Sequence, residues 1–264
     1  PTRARALLQA SALFEARGDR ARAHDRAATL VLHHEARLDA TERADAYARM
    51  ARGKLAAGDP VGAVRLARRA EEATPDSAEP LELLAEALEG AGEDEAAAEA
   101  LRRLAARRPA GPRRAAVLAE AARLVPEATA ADRARRLALL EEAASEAPDD
   151  VELAVAWADA RTATEDHVGA ADALEEAAER ARRSESAARP AELWVAAAAA
   201  ALRGGQEDRS RALLQVAVEA DPAWPEAVDA LEVVLARAGE HAARFEVLTR
   251  ALDARSRPEP EPEP

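Results

Sequence analysis

Apolar residues recur every three or four positions through most of the chain, and short Gly-Asp or Gly-Glu pairs interrupt them at regular distances. That period places the apolar side chains on one face of an α-helix, and the glycines mark where helices stop. Gly58-Asp59 begins 17 residues before Pro75, and Gly92-Glu93 begins 17 before Pro109, so two like units lie 34 residues apart. The pattern predicts seven helix pairs: 3–17 with 20–38, a helix ending at 57 with 60–73, 79–91 with 94–107, 113–124 with 132–146, 151–163 with 167–183, 191–203 with 207–219, and 225–238 with 240–254. Thr41 is expected to cap the third helix, and Pro60 fits a first helical position, where its missing N–H costs nothing. Gly90, Gly92, Gly204 and Gly205 read as helix terminators rather than as a phosphate-binding loop.

The phase survives irregular loops. Asp59-Pro60-Val61-Gly62-Ala63 returns 107 residues later as Asp166-His167-Val168-Gly169-Ala170. Extra residues between units or in the fourth turn account for the departures from 34, and loops absorb such length cheaply. A fixed period of this size marks a stacked array in which each unit buries its apolar face only against its neighbours. Tyr47, Leu81 and Trp194 take an early large position in the first helix, with Ala51, Ala85 and Ala198 four residues on. Ala63-Ala67-Ala70-Pro75, Ala97-Leu101-Leu104-Pro109 and Ser210-Leu214-Ala217-Pro222 carry a second-helix pattern. Arg136 and Arg244 stand where that pattern has a small residue.

In these positions the chain resembles the tetratricopeptide repeat family over nearly all of residues 3–255, with a HEAT-like solenoid fitting the 34-residue spacing less well. The resemblance implies an all-α, right-handed α-solenoid over 1–256. The remainder, 257–264, alternates Pro with Glu from Pro258 and reads as an extended linker. The resemblance also implies a non-catalytic protein-protein interaction scaffold whose concave face, lined by first helices, holds a peptide or protein segment. Because the chain starts at Pro1, a second expectation is a regulatory or substrate-recruiting segment of a larger enzyme with its catalytic domain elsewhere.

Composition agrees with an all-helical chain. The 264 residues are 48% hydrophobic and 33% charged, with 77 Ala, 36 Arg, one Lys, and no Ile, Asn or Cys. Ala, Leu, Arg and Glu are strong helix formers, and the shortage of β-branched and aromatic residues leaves little for strands. Absence of Ile and Asn, with one Lys, matches the coding bias of a GC-rich genome. The net charge of −13 opposes nucleic-acid binding, and pairs such as Arg102-Arg103 and Arg182-Arg183 are interleaved with carboxylates at helical spacing. No apolar run is long enough to span a membrane. Lack of cysteine removes disulfides and thiolate chemistry and is compatible with any compartment.

Candidate chemistry is sparse. His33 and His34 diverge by about 100° on a helix, no metal-ligand spacing is present, and no carboxylate pair stands apart by its setting. No catalytic residue, metal or cofactor is expected. Binding residues are easier to nominate. Glu79, Glu82, Glu86 and Glu89 form an acidic row on the inward side of one first helix, continued by Glu152 and Asp159 and interrupted by Arg52, Arg123 and Arg203. Such a row suits a basic partner. The family's carboxylate clamp requires Asn, which this chain lacks. Trp224, in a loop between Pro222 and Pro225, is a candidate partner anchor, with packing on the following helix as its alternative role. Trp157 and Trp194 are expected to be buried.

Overall fold

A computed structural model describes residues 2–183 and 190–256, and the predicted linker 257–264 lies outside them. The described residues are helical, with no strand among them. They fall into two compact units, Pro1–Glu146 and Ala147–Pro264. The first holds α1 (Thr2–Ala16), α2 (Arg20–His34), α3 (Ala40–Ala56), α4 (Pro60–Ala73), α5 (Glu79–Gly90), α6 (Asp94–Ala105), α7 (Pro112–Leu124) and α8 (Ala130–Glu146). The second holds α9 (Val151–Ala163), α10 (His167–Arg183), α11 (Pro190–Arg203), α12 (Glu207–Ala220), α13 (Pro225–Arg237) and α14 (His241–Arg255). Within each unit, consecutive helices pack in series as antiparallel pairs, each pair stacking on the next.

One turn design joins six of the seven pairs. Gly18, Gly58, Gly92, Gly205 and Gly239 have φ between 72° and 76°, and Glu165 takes the same place at φ 66°. The next residue donates its N–H back across the turn, as Asp59 does to Lys54 O at 2.9 Å and Gln206 to Ala201 O at 2.9 Å. This pairing satisfies the last carbonyls of the first helix, and only glycine adopts the left-handed conformation without strain. Gly92 and Gly205 are therefore the terminators. Gly90 instead remains in α5, where Pro60 Cβ lies 3.4 Å from the place a side chain would occupy, and Gly204 has no positive φ. The fourth pair departs from the design: α7 ends at Val125 in extended conformation, and Thr129 and Asp132 cap α8 reciprocally.

The recurring Asp-x-Val-Gly-Ala segment has a physical role. Asp59 and Asp166 precede the second helix of their pairs and accept from the N–H of Gly62 at 2.8 Å and Gly169 at 3.0 Å. The cation five residues earlier closes on the same carboxylate, Lys54 at 2.9 Å and Arg161 at 3.1 Å. Lys54 and then the Gly62 N–H hold the Asp59 carboxyl below its ordinary pKa.

Two predicted boundaries are corrected. The second helix stops at His34, where φ reaches −139°, and residues 35–37 form a short 3₁₀ turn in which Glu35 accepts from the Tyr47 hydroxyl. The cap of α3 is Asp39, not Thr41. Asp39 is extended, accepts from Glu42 N at 2.8 Å, and its own N–H donates to the Glu42 carboxylate at 3.2 Å, a reciprocal box that Thr41 is too far along the chain to make.

The small positions bring the helices together. Tyr47, Leu81 and Trp194 are buried, as are Ala51, Ala85 and Ala198 and the second-helix residues Ala63, Ala97 and Ser210. Alanine at these crossings lets helix axes approach toward the short end of the ~8–10 Å range. The last pair substitutes charge for size: Arg244, where others have Ala or Ser, pairs with Glu232 of α13. Arg136 pairs likewise with Glu127. Trp157, expected to be buried, is only half-buried, and the Arg161 guanidinium lies 4.2 Å from its ring centroid, a cation–π contact.

Candidate interaction surface

Glu79, Glu82, Glu86 and Glu89 are exposed on one side of α5, whose other side carries Leu81, Leu84, Ala85 and Leu88 into the core. Three of the four are already paired. Glu79 meets Arg52 of α3 at 2.6 Å, Glu82 meets Arg108, and Glu89 meets Arg123 of α7 at 2.5 Å. Arg52 also binds Glu15 of α1 at 2.6 Å, and Arg123 binds Glu120 at 2.6 Å, holding the Glu120 carboxyl below its ordinary pKa. Two of the arginines that interrupt the acidic row in sequence, Arg52 and Arg123, thus neutralise its ends in space, and Arg108 neutralises Glu82. Glu86 alone of the four has no ion-pair partner among the described residues.

The second unit offers a different surface. First helices α9 and α11 border a groove of about 400 Å³ over α10. Val155, Leu174, Leu193 and Ala196 supply its apolar floor, and Asp159, Thr162, Glu192 and Arg203 its polar wall. Residues 155, 159 and 162 fall on one face of α9, and 192, 196 and 203 on one face of α11, at the i, i+4, i+7 and i, i+4, i+11 spacings of a helix. Among the described residues neither Asp159 nor Glu192 has an ion-pair partner, and Arg203 donates only to Ala199 O at 3.3 Å. A groove of this kind can seat an apolar side chain and offers two carboxylates and one guanidinium to its flanks.

The remaining nominated residue, Trp224, lies half-buried immediately before α13 and packs against the core of the second unit. Of the histidines, His24 sits over Gly53 with Nδ1 2.9 Å from Met50 O, and the His33 and His34 rings stand 6.4 Å apart. Among the described residues no cluster of three His, Asp or Glu is arranged to hold a metal ion, and no helix is long and apolar enough to cross a membrane.

Serial helix pairs, most of them closed by glycine turns and with small residues at most crossings, define an all-α repeat protein of the solenoid class. No protein-family model and no curated protein matches the chain. Solved structures do. A structure of Naa15/Naa10 bound to HypK-THB aligns with 98% of this chain and 40% of its own at a TM-score of 0.66 and 12% identity. YrrB, described as a TPR protein with an unusual peptide-binding site, aligns over 77% of this chain and 96% of its own at a TM-score of 0.50 and 11% identity. The described helices have the tetratricopeptide-repeat fold.

Proposed function

We propose that the chain is a non-catalytic protein-interaction scaffold that holds a segment of a partner protein on its first-helix face, with the α9–α11 groove as the principal seat. The groove carries the reading: between two first helices, an apolar floor and charges without ion-pair partners among the described residues occur together. The peptide-binding site named for YrrB and the HypK-bound state of Naa15/Naa10 support a protein partner. Asp159 and Glu192 suit Arg or Lys on the ligand, Arg203 suits a carboxylate, and Val155 with Ala196 suits an apolar side chain between them. The ligand is therefore a mixed-charge segment with a basic bias. In the first unit Glu86 offers a secondary contact, whereas Glu79, Glu82 and Glu89 would first have to release their arginines.

A peptide array sorted by charge tests this. The chain is expected to retain peptides in which Arg or Lys flanks an apolar residue, and less so as salt rises through the ~8–10 Å screening range. Asp159→Arg with Glu192→Arg is expected to weaken retention about tenfold or more with helicity unchanged, since both side chains are exposed. Equal retention by wild type and variant contradicts the assignment.

A further inference from the structure

Arg43, in the first turn of α3, has nothing to receive its side chain. Arg49, Arg108, Arg114, Arg136, Arg161 and Arg244 also have a covered side-chain nitrogen without a hydrogen bond, but each holds a carboxylate through another nitrogen. Arg43 is half-buried, its Nε is covered, and among the described residues its side chain has neither a hydrogen bond nor an ion pair. A guanidinium taken out of water without an acceptor is costly, and an anion beside it offsets that cost.

The surroundings form a pocket. Arg43 and Tyr47, one turn apart on α3, and Arg69, Glu72 and Ala73 on one face of α4 enclose about 440 Å³ together with Glu35 of the 3₁₀ turn. Three of these are tied to one another. The Tyr47 hydroxyl donates to the Glu35 carboxylate, and the Arg69 guanidinium donates to the Tyr47 oxygen at 3.3 Å and lies 5.6 Å from its ring centroid. Burial, and then the bond to Glu35, push the Tyr47 hydroxyl above its ordinary pKa, so it stays a donor. Glu35 is thereby engaged, and Glu72 is exposed to water, which leaves Arg43 lining the pocket with its donors unspent. Arg65 and Arg68 are exposed and have no ion-pair partner among the described residues, while Glu71 is held by Arg103, so α4 carries excess positive charge in a chain of net charge −13.

We infer that this pocket is a subsite for a single carboxylate, the Asp or Glu side chain of a partner protein, with Arg43 as the residue that receives it. The site lies in the first unit, at the end of the α3–α4 pair away from the Gly58 turn, and is separate from the α9–α11 groove. Arg holds a carboxylate through two parallel N–H bonds, a charge-assisted contact of the stronger kind. A carboxylate suits the pocket better than a phosphate, because Glu35 and Glu72 line the same space and repel a dianion about twice as strongly as a monoanion.

Titration of the full chain with three probes, followed by nitrogen–proton NMR, tests it: acetylated and amidated Ala-Asp-Ala, its Ala-Asn-Ala counterpart, and inorganic phosphate. The Asp peptide is expected to shift the Arg43 Nε–Hε signal saturably, the Asn peptide to leave it in place, and phosphate to need a higher concentration than the Asp peptide. Read at the backbone amides of Tyr47 and Ala73, Arg43→Gln is expected to weaken the Asp peptide about tenfold or more, with the helical signal of the wild type. Arg113→Gln removes the same charge from an exposed position of the same unit and is expected to change nothing. The Asp159→Arg, Glu192→Arg protein is expected to bind the Asp peptide here as the wild type does, so this site and the groove stand or fall separately. An Arg43 signal that ignores the Asp peptide, an equal response to the Asn peptide, tighter saturation by phosphate, or equal losses in Arg43→Gln and Arg113→Gln each overturns the assignment.

Discussion

Ala198→Arg is expected to lower the stability of the α9–α14 unit by about 4 kcal/mol or more, enough to remove its cooperative transition. Ala198 is buried in α11 at the place where, in the equivalent pairs, an alanine or serine of the first helix lies against a small residue of the second. Ser11 shows the contact directly, its hydroxyl donating to Ala23 O at 3.2 Å across α1 and α2. A guanidinium there has neither volume nor water, and no carboxylate stands ready as Glu232 does for Arg244. Ala85→Arg in α5 is expected to do the same to the first unit. Ala199→Arg supplies the control: it is the next residue, it is exposed, and Arg is nearly as good a helix former as Ala. Denaturant titration followed by circular dichroism should leave its midpoint unchanged. If Ala198→Arg and Ala199→Arg unfold alike, the small-residue crossing is misplaced.

Gly53→Val is the second large effect. Ordinarily, replacing a mid-helix glycine favours the helix by about 0.5–1 kcal/mol. Here the first side-chain carbon would start 2.5 Å from His24 Cβ, an atom fixed to the α2 backbone, so the two helices must part or His24 must give up its bond to Met50 O. Overpacking of this kind is expected to cost about 1–3 kcal/mol, reversing the sign of the propensity effect. Combining Gly53→Ala with His24→Gly removes the clashing Cβ and should recover stability relative to Gly53→Ala alone. A stabilised Gly53→Val would mean that α2 and α3 do not meet at this glycine.

Much of this architecture is legible in the residues because the turn chemistry repeats. The helices Pro60–Ala73, Val151–Ala163 and His167–Arg183 have the bounds expected from Gly, Pro and capping Asp alone. At Glu165 a non-glycine residue holds the left-handed place, and the turn is legible instead from Asp166-His167-Val168-Gly169-Ala170, which repeats Asp59–Ala63. Asp39 and Thr41 are both capping residue types, and Asp39 caps α3 because a capping box depends on which N–H each carboxylate reaches. The acidic row of α5 was visible, but its neutralisation was not, since the arginines come from other helices. A signal for it did exist: Glu89 and Arg123 are 34 residues apart, as are Glu15 and Arg49, so equivalent positions one repeat on become neighbours. The same rule joins Glu175 to Arg209. Asp159 and Arg203 of the groove stand out in the sequence by charge, whereas Val155, Glu192 and Ala196 do not, because an apolar floor between two helices appears only when their faces are set side by side.

The most direct measurement of the proposed interaction site is backbone amide chemical-shift mapping with the strongest peptide from the charge-sorted array. Shifts are expected to concentrate on α9 and α11, at Val155, Asp159, Glu192, Ala196 and Arg203, and to vanish in the Asp159→Arg, Glu192→Arg protein. Shifts confined to second helices, or to the inter-pair loop around Trp224, would contradict binding on the first-helix face.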